Sequence, residues 1–353
     1  GRVEVYSGDY SSGLNTLLDV VNNGPYELED NFYQVFSAFH ENGPETVLAY
    51  QASSNDGNPN GNNANYPDRL NFPHGGSPFG CCGFHQPSQN LVNAFTVDGN
   101  GLPLALSAPN AWNNRDENLD ASADVAVDPR LDWTVGRDGV PFKDWGLHES
   151  GYIRDRAWAG PYSPKKTIYE QNSGAQSNVG WNAAHLHSMN LHLYRYADVL
   201  LLLAEAEVEA GELENARTIV NRIRERAGAA AQGPGTSTDN IAVPIDDPSI
   251  TWANYKIGLY NTPWVDQNAA RQAVRMERRV ELGMEGHRLF DLRRWGIAEQ
   301  VLNNYTQVEQ NRREYLSAAV PYTGPHALYP LPSVQIELSN VEGEDRLVQN
   351  PGW

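Results

Sequence analysis

Tyr194-Arg195-Tyr196-Ala197-Asp198-Val199-Leu200-Leu201-Leu202-Leu203-Ala204, running on to Arg226-Ala227-Gly228, decides the fold. Ala197, Leu201, Ala204 and Val208 fall at i, i+4, i+7 and i+11, one stripe of a 3.6-residue helix. Leu200, Leu202 and Leu203 widen that stripe until nearly every face is apolar, so this helix is expected to be buried. Gly211 breaks it, and a second stripe follows at Leu213, Ala216, Val220, Ile223 and Ala227. Gly228 sits where a left-handed C-terminal cap belongs. Two helices of about four turns, joined by a glycine turn, make a tetratricopeptide-like unit.

The same turn and second helix recur near the start of the chain. Gly8-Asp9-Tyr10-Ser11-Ser12-Gly13 aligns with Gly211-Glu212-Leu213-Glu214-Asn215-Ala216, Leu17 with Val220, and Val20 with Ile223. Too few residues precede Gly8 for a first helix, and a helical repeat does not bury its apolar face alone. The chain is therefore expected to begin inside a motif, as the C-terminal part of a longer protein. An apolar groove at Leu14, Leu17 and Val21 is expected where the first helix would pack.

With 44 acidic against 26 basic residues the net charge is −18, which argues against a nucleic-acid partner and against docking on anionic lipid. The longest apolar run, Val199–Ala204, falls far short of the roughly 18 residues of a membrane span. Thirty-one Gly and 22 Pro mark a loop-rich protein. These loops concentrate in residues 27–185, where Phe32–Phe39 is a short apolar stretch and Thr46–Tyr50 reads as a strand. Trp112, Trp133, Trp145, Trp158 and Trp181 all fall in this region, and disordered segments are poor in aromatics, so it reads as an ordered insertion. The expected organisation is a truncated first repeat (1–26), a loop-rich, ligand-binding insertion (27–185), a helical scaffold (186–310) and an extended C-terminal tail (311–353), within one compact domain. Ala229–Asp247, rich in Gly, Pro and Thr, reads as a mobile loop. Residues 268–284 return to helix with Ala269, Ala273, Met276 and Val280 on one face, and Ile297, Val301, Tyr305 and Val308 mark another. Tyr329-Pro330-Leu331-Pro332 is not helical.

Seven stretches in order resemble the SusD/RagB family of outer-membrane nutrient-binding lipoproteins. They are Cys81-Cys82-Gly83-Phe84-His85-Gln86-Pro87-Ser88, Asp128-Pro129-Arg130-Leu131-Asp132-Trp133-Thr134-Val135-Gly136-Arg137 and Tyr194-Arg195-Tyr196-Ala197-Asp198-Val199-Leu200. Glu277-Arg278-Arg279-Val280-Glu281-Leu282, Glu285-Gly286-His287-Arg288-Leu289-Phe290-Asp291-Leu292-Arg293-Arg294-Trp295, the Leu328–Pro332 turn and Gln349-Asn350-Pro351-Gly352-Trp353 complete the set. The resemblance implies a mainly α, SusD-like fold of tetratricopeptide-like hairpins with a long loop-rich insertion and few short strands. It also implies a surface-exposed lipoprotein of the cell outer membrane, held through an N-terminal lipid anchor absent from this chain. Its implied partners are an oligosaccharide or polysaccharide and a SusC-like TonB-dependent transporter. No cofactor and no bond-breaking chemistry are implied. A peptide-binding member of the same family and a helical glycoside hydrolase stand as alternatives.

Glycan binding needs flat apolar faces to stack on sugar rings, and amides or charges to meet hydroxyls. Trp112, with Asn113 and Arg115, supplies a Trp set among amides and charges; the competing reading is that it caps a local mini-core. Phe84, Phe79 and Tyr66, in nearby Gly/Pro-rich loops, are the further candidates. Trp133 and Trp145 read as packing residues, and Trp295 and Trp353 as structural. Cys81 and Cys82 either close a vicinal disulfide ring, favoured by surface exposure, or remain two buried thiols. Asp56-Gly57-Asn58-Pro59-Asn60-Gly61 opens like a calcium loop but has Pro67 where the bidentate Glu belongs, so it reads as a solvated loop. His185, His187 and His192 lack an evident fourth ligand for zinc. No metal site is expected. The Glu277–Arg294 stretch reads as a structural ion-pair network.

Overall fold

The structure, a computed structural model, describes residues 1–116, 118–120, 123–229 and 252–353. The expected loop beyond Ala229 lies outside these residues. The chain divides into two compact units, Gly1–Gly286 and His287–Trp353, the boundary falling inside the segment 186–310.

In the first unit the Tyr196–Ala210 helix is the centre, packed against the helices Tyr10–Asn23, Leu213–Gly228 and Gln267–Glu281. Leu200, Leu201, Leu202, Leu203 and Val208 are all buried, as a helix apolar all round requires. Each such side chain contributes roughly 1.5–3 kcal/mol on burial. Gly211 takes the left-handed conformation that ends this helix (φ 89°). Gly8 repeats that turn (φ 84°). The five residues Arg2–Tyr6 ahead of it form a short helix. Val5 of that helix and Leu17 are buried against Leu202, Leu203 and Ala206, while Leu14 and Val21 are half-buried around them. The groove expected at these positions is therefore covered in part.

Two details of the helical reading change. Gly228 is the last residue of its helix and has no left-handed turn; a side chain there would crowd Ile257. Ala270 rather than Ala269 joins Ala273, Met276 and Val280 in the buried face, because the helix begins at Gln267 behind an Asp266 cap.

The insertion is ordered around aromatic clusters. Phe72, Phe79, Phe142, Tyr152 and Tyr169 form one, with Trp145 half-buried beside them. Phe32, Phe36 and Trp133 form another. Phe95, Leu131 and Tyr162 meet Met276 and Val280 of the scaffold in a third. Thr46–Tyr50 is a strand, paired antiparallel with Leu191–Arg195 in the register Thr46 to Arg195 and Tyr50 to Leu191. The other strands are two residues each.

The second unit has helices Arg288–Arg294, Ala298–Glu309 and Ser333–Leu338 and a small hairpin, Asn340–Val341 with Glu344–Asp345. The tail from 311 is thus turn and helix rather than extended chain, although Tyr329–Pro332 is non-helical as its prolines require. The Trp353 indole donates to the Pro325 and Leu328 carbonyls (3.0 Å each) and ties the terminus down. Trp295 is half-buried beside the Arg294 guanidinium, 4.9 Å from its ring centre. Among the described residues no helix is long and apolar enough to cross a membrane.

Candidate functional site

The scaffold is pinned by buried charge. Glu281 pairs with Arg130 (2.8 Å), Arg195 (2.8 Å) and Arg226, and Glu277 with Arg130 (2.7 Å) and Arg224 (2.8 Å). Glu45 takes Arg195 (2.6 Å) and Arg226 (2.8 Å), and Glu285 takes Arg195 (2.7 Å) and Lys166 (2.6 Å). Asp128 pairs with Arg130 (2.6 Å). Burial favours the neutral acid at Glu281, but Arg226, Arg195 and Arg130 overcome it and hold the carboxyl well below its ordinary range. The network reaches beyond the Glu277–Arg294 stretch, joining the strand ribbon, two helices and the insertion.

Against this frame, residues 65–71 turn outward. The Asn65 amide donates to the Met189 carbonyl (2.9 Å) and to Asp68 (2.9 Å), and the Asn71 amide donates to Asp68 (3.3 Å). These bonds fix the inner face of the segment and leave Tyr66 and Leu70 exposed on the outer one. Arg69 lies between them. Its Nη2 donates to the Trp181 carbonyl (2.8 Å), and its guanidinium sits 4.0 Å from the Trp181 ring centre and 5.4 Å from that of Tyr66. The Phe84 N–H donates to the Leu70 carbonyl (3.1 Å), bringing a fourth apolar group alongside. Trp181 is 64% exposed, Phe84 55% and Tyr66 39%. Two exposed rings thus flank the Arg69 guanidinium, and exposed Phe84 is joined through its backbone to exposed Leu70 beside it.

The candidates divide. Tyr66 and Phe84 belong to this platform. Phe79 does not: it is 7% exposed and meets Phe72 edge-on at 4.9 Å and Trp145 at 4.7 Å, so a packed ring replaces the expected ligand contact. Trp112 is half-buried against the cluster of Phe95 and Tyr162, with the Arg279 guanidinium 5.0 Å over its ring. This is the contact that the mini-core alternative describes. Asn113 accepts from buried Asn93 (2.9 Å), as does the Arg115 carbonyl (3.0 Å), so this pair anchors the Trp112 loop. Trp181 and Arg69 escaped the sequence reading, although Gly180-Trp181-Asn182 carries the same amide-rich company as Trp112.

Cys81 and Cys82 form a vicinal disulfide, closing the turn that presents Phe84. Their sulfurs and the His185 ring lie within 4.8 Å of one another, but bonded sulfurs offer no thiolate to a metal. The three histidines have separate partners: His185 Nε2 faces the Phe79 carbonyl (2.9 Å), His187 Nδ1 accepts from Met189 N–H (3.2 Å), and His192 Nε2 faces the Val35 carbonyl (3.0 Å). In the Asn-rich loop Asp56 is occupied by Asn58 N–H (3.1 Å) and the Asn63 amide (2.7 Å). One arrangement imitates a hydrolase: Asp138 Oδ1 to His148 Nδ1 (3.0 Å) and His148 Nε2 to Ser163 Oγ (2.9 Å). His148 and Ser163 are each 1% exposed, so a substrate does not reach the hydroxyl and the relay is a core polar tie.

The SusD family model matches residues 44–353 of the chain. SusD-like protein P25 of Formosa agariphila is 24% identical over 367 residues, covering 99% of this chain and 57% of that protein. SusD-like protein P38 of the same organism is 31% identical over 123 residues, 35% of this chain and 20% of that protein. Among solved structures, surface glycan-binding protein A from Bacteroides fluxus has a TM-score of 0.59 at 19% identity, covering all (100%) of this chain and 61% of its own. A laminarin-binding SusD-like protein gives 0.55 at 19%, with the same coverage of 100% and 61%. At these identities the structural likeness speaks for the fold, which is mostly helical with few short strands. Matched by the family model over most of its length, this chain belongs to the SusD family.

Proposed function

We propose that this chain captures a neutral oligosaccharide or polysaccharide on the platform of Tyr66, Phe84 and Trp181. In the proposed setting it belongs to a surface lipoprotein of the outer membrane and hands its ligand to a SusC-like TonB-dependent transporter. The observation that carries this reading is the set of exposed rings around Arg69, inside the residues that the SusD family model matches. Flat aromatic faces stack on the apolar faces of sugar rings at low entropic cost, and Arg69 holds two of them in place. The names of the laminarin-binding and surface glycan-binding relatives support a carbohydrate ligand. No catalytic family is indicated, so binding without turnover is expected.

The test is affinity electrophoresis of the chain through gels holding laminarin, xylan, mannan or starch, with chromatography of any products. At least one polysaccharide should retard the protein, and Trp181→Ala should weaken that retention about thirtyfold, the effect of losing a central aromatic anchor worth about 2 kcal/mol. No shorter sugars should appear. Release of oligosaccharides by pure protein, or retention indifferent to Trp181→Ala, would overturn the reading. Co-purification with a SusC-like transporter from outer membranes tests the delivery step.

A further inference from the structure

Cys81 and Cys82 lie where the two loops carrying exposed rings meet. Phe84 stands just beyond them, its turn held by Gly83 N–H on the Phe72 carbonyl (2.8 Å) and Phe84 N–H on the Leu70 carbonyl (3.1 Å). Trp181 opens the other loop, which continues into the short helix Ala183–His185 and brings the His185 ring against the first.

His185 is 1% exposed and fixed on three sides. Its Nε2 faces the Phe79 carbonyl (2.9 Å), its ring stacks on Phe72 (centroids 5.2 Å apart, planes 9° apart), and Nδ1 faces the Cys82 sulfur at 3.9 Å. A carbonyl only accepts, so in the neutral ring the proton sits on Nε2 and Nδ1 is a bare lone pair. A disulfide sulfur has no proton to give it. The buried acceptor is therefore aimed at a group that does not satisfy it, at a cost of about 1–3 kcal/mol.

A metal-ligating histidine has this same arrangement, one nitrogen free toward the ion and the other anchored on a carbonyl that sets the ring's orientation. Both sulfurs and Nδ1 lie within 4.8 Å of one another. Two ligands of one zinc ion stand no farther apart than the sum of their bonds, roughly 4.3 Å for a thiolate and an imidazole. Cys82 and His185, at 3.9 Å, already meet that limit. Two thiolates and a neutral imidazole cancel the double charge of the ion, so the complex is buried without uncompensated charge. Cys82 and His185 are buried and Cys81 half-buried, which gives the ion an approach from solvent and room for a water as fourth ligand. Only the S–S bond stands in the way. An external dithiol opens it by thiol–disulfide exchange: two electrons and two protons pass to the Cys81 and Cys82 sulfurs, and the dithiol closes to its own disulfide. When the ion binds, each thiol yields its proton to water and the ion takes the place of the S–S bond.

We propose that reduced Cys81 and Cys82 form, with His185, a zinc site that ties the Phe84 loop to the Trp181 loop. The oxidised chain closes the first loop on itself; the reduced, metal-bound chain links both. The site rests on no sugar contact and is tested without one. The chain is reduced with dithiothreitol, desalted under argon and titrated with Co²⁺ and then Zn²⁺, with Ca²⁺ as the hard-cation control. The reduced chain should take up Co²⁺ with a sulfur-to-cobalt charge-transfer band, Zn²⁺ should displace it, and the oxidised chain should show neither. With ¹⁵N-labelled histidine, Zn²⁺ should move the His185 Nδ1 resonance of the reduced parent and leave those of His187 and His192 in place. Zn²⁺ should also raise the melting temperature of the reduced chain and not that of the oxidised one. His185→Gln keeps an amide donor for the Phe79 carbonyl and removes the Nδ1 ligand. It should weaken Zn²⁺ binding by more than the roughly 10–100-fold that loss of a supporting contact costs, and Cys81→Ser should do the same. If the reduced parent binds no Co²⁺, if the oxidised chain or Ca²⁺ does as well, if the His185 resonance stays fixed, or if His185→Gln binds as the parent does, the sulfurs and the imidazole are merely packed together and the proposal is wrong.

Discussion

Arg69 holds two rings with one guanidinium, through a hydrogen bond to the Trp181 backbone and cation–π contact with Trp181 and Tyr66. Arg69→Met keeps the apolar stem and removes both interactions. At about 1 kcal/mol for a partly exposed cation–π contact, glycan affinity should fall about fivefold to tenfold by calorimetric titration with laminarin or whichever polysaccharide the gels select. The melting temperature should hardly move. Unchanged affinity would remove Arg69 from the platform. Trp112→Ala should behave oppositely. Its half-buried ring supports the Phe95–Tyr162 cluster, so stability should drop by about 2 kcal/mol, less than the 3–5 of a fully buried Trp, with affinity intact. Urea melts alongside the titrations separate the two outcomes. The amide-rich company of Trp112 and Trp181 was visible in the sequence; the partner of each was not. Arg69 and Trp181 are 112 residues apart, and no local pattern carries a pairing of that separation. Phe79 and Phe84 lie in one loop, yet one is packed and the other open, because which ring turns inward is set by Phe72 and Trp145 from elsewhere in the chain.

At the scale of elements, the hairpin was legible because its signal is local: a 3.6-residue stripe and a glycine at the turn. The strand Thr46–Tyr50 was legible from composition, its pairing with Leu191–Arg195 was not. What holds these elements together is the buried charge around Glu281, whose acids and bases come from distant segments. Glu281→Gln keeps the shape but leaves Arg130, Arg195 and Arg226 short of one counter-charge, and should cost about 3–5 kcal/mol in chemical denaturation. The folded carboxyl titrates below its ordinary value of 4.5, so the unfolded chain binds the proton first. Its stabilisation is complete above about pH 4.5 and is lost as the pH falls through the folded value. Melting temperatures between pH 7 and 3 should therefore fall steeply in acid for the parent and less steeply for Glu281→Gln. Parallel curves would place the acid sensitivity in other carboxylates. Lys165, pushed down to about 7 by burial, and Lys166, pushed down to about 8, act in the other range. Their cost to folding shrinks as the pH rises from neutral toward 10.5.

For the molecule as a whole, the central ion-pair network is itself balanced, five cations against five carboxylates, so the net charge of −18 resides in the remaining groups. Like-charged polymers approaching such a surface are repelled over about one Debye length, about 8 Å at physiological salt. Neutral polysaccharides feel no such barrier, and stacking on Tyr66, Phe84 and Trp181 needs no charge on the ligand. Binding should therefore discriminate by charge as well as by shape. Laminarin or another neutral glycan should be retained with an affinity that barely changes between about 50 and 500 mM salt, since aromatic stacking is not screened. Alginate or pectate should be retained weakly at low salt and gain as salt rises, because screening relieves the repulsion. Affinity electrophoresis across a salt series measures both slopes. Retention of an acidic polysaccharide that is tight at low salt and falls with added salt would mean that Arg69 and its neighbours form a local cationic site strong enough to reverse the field of the whole protein, and the assignment to neutral glycans would fail.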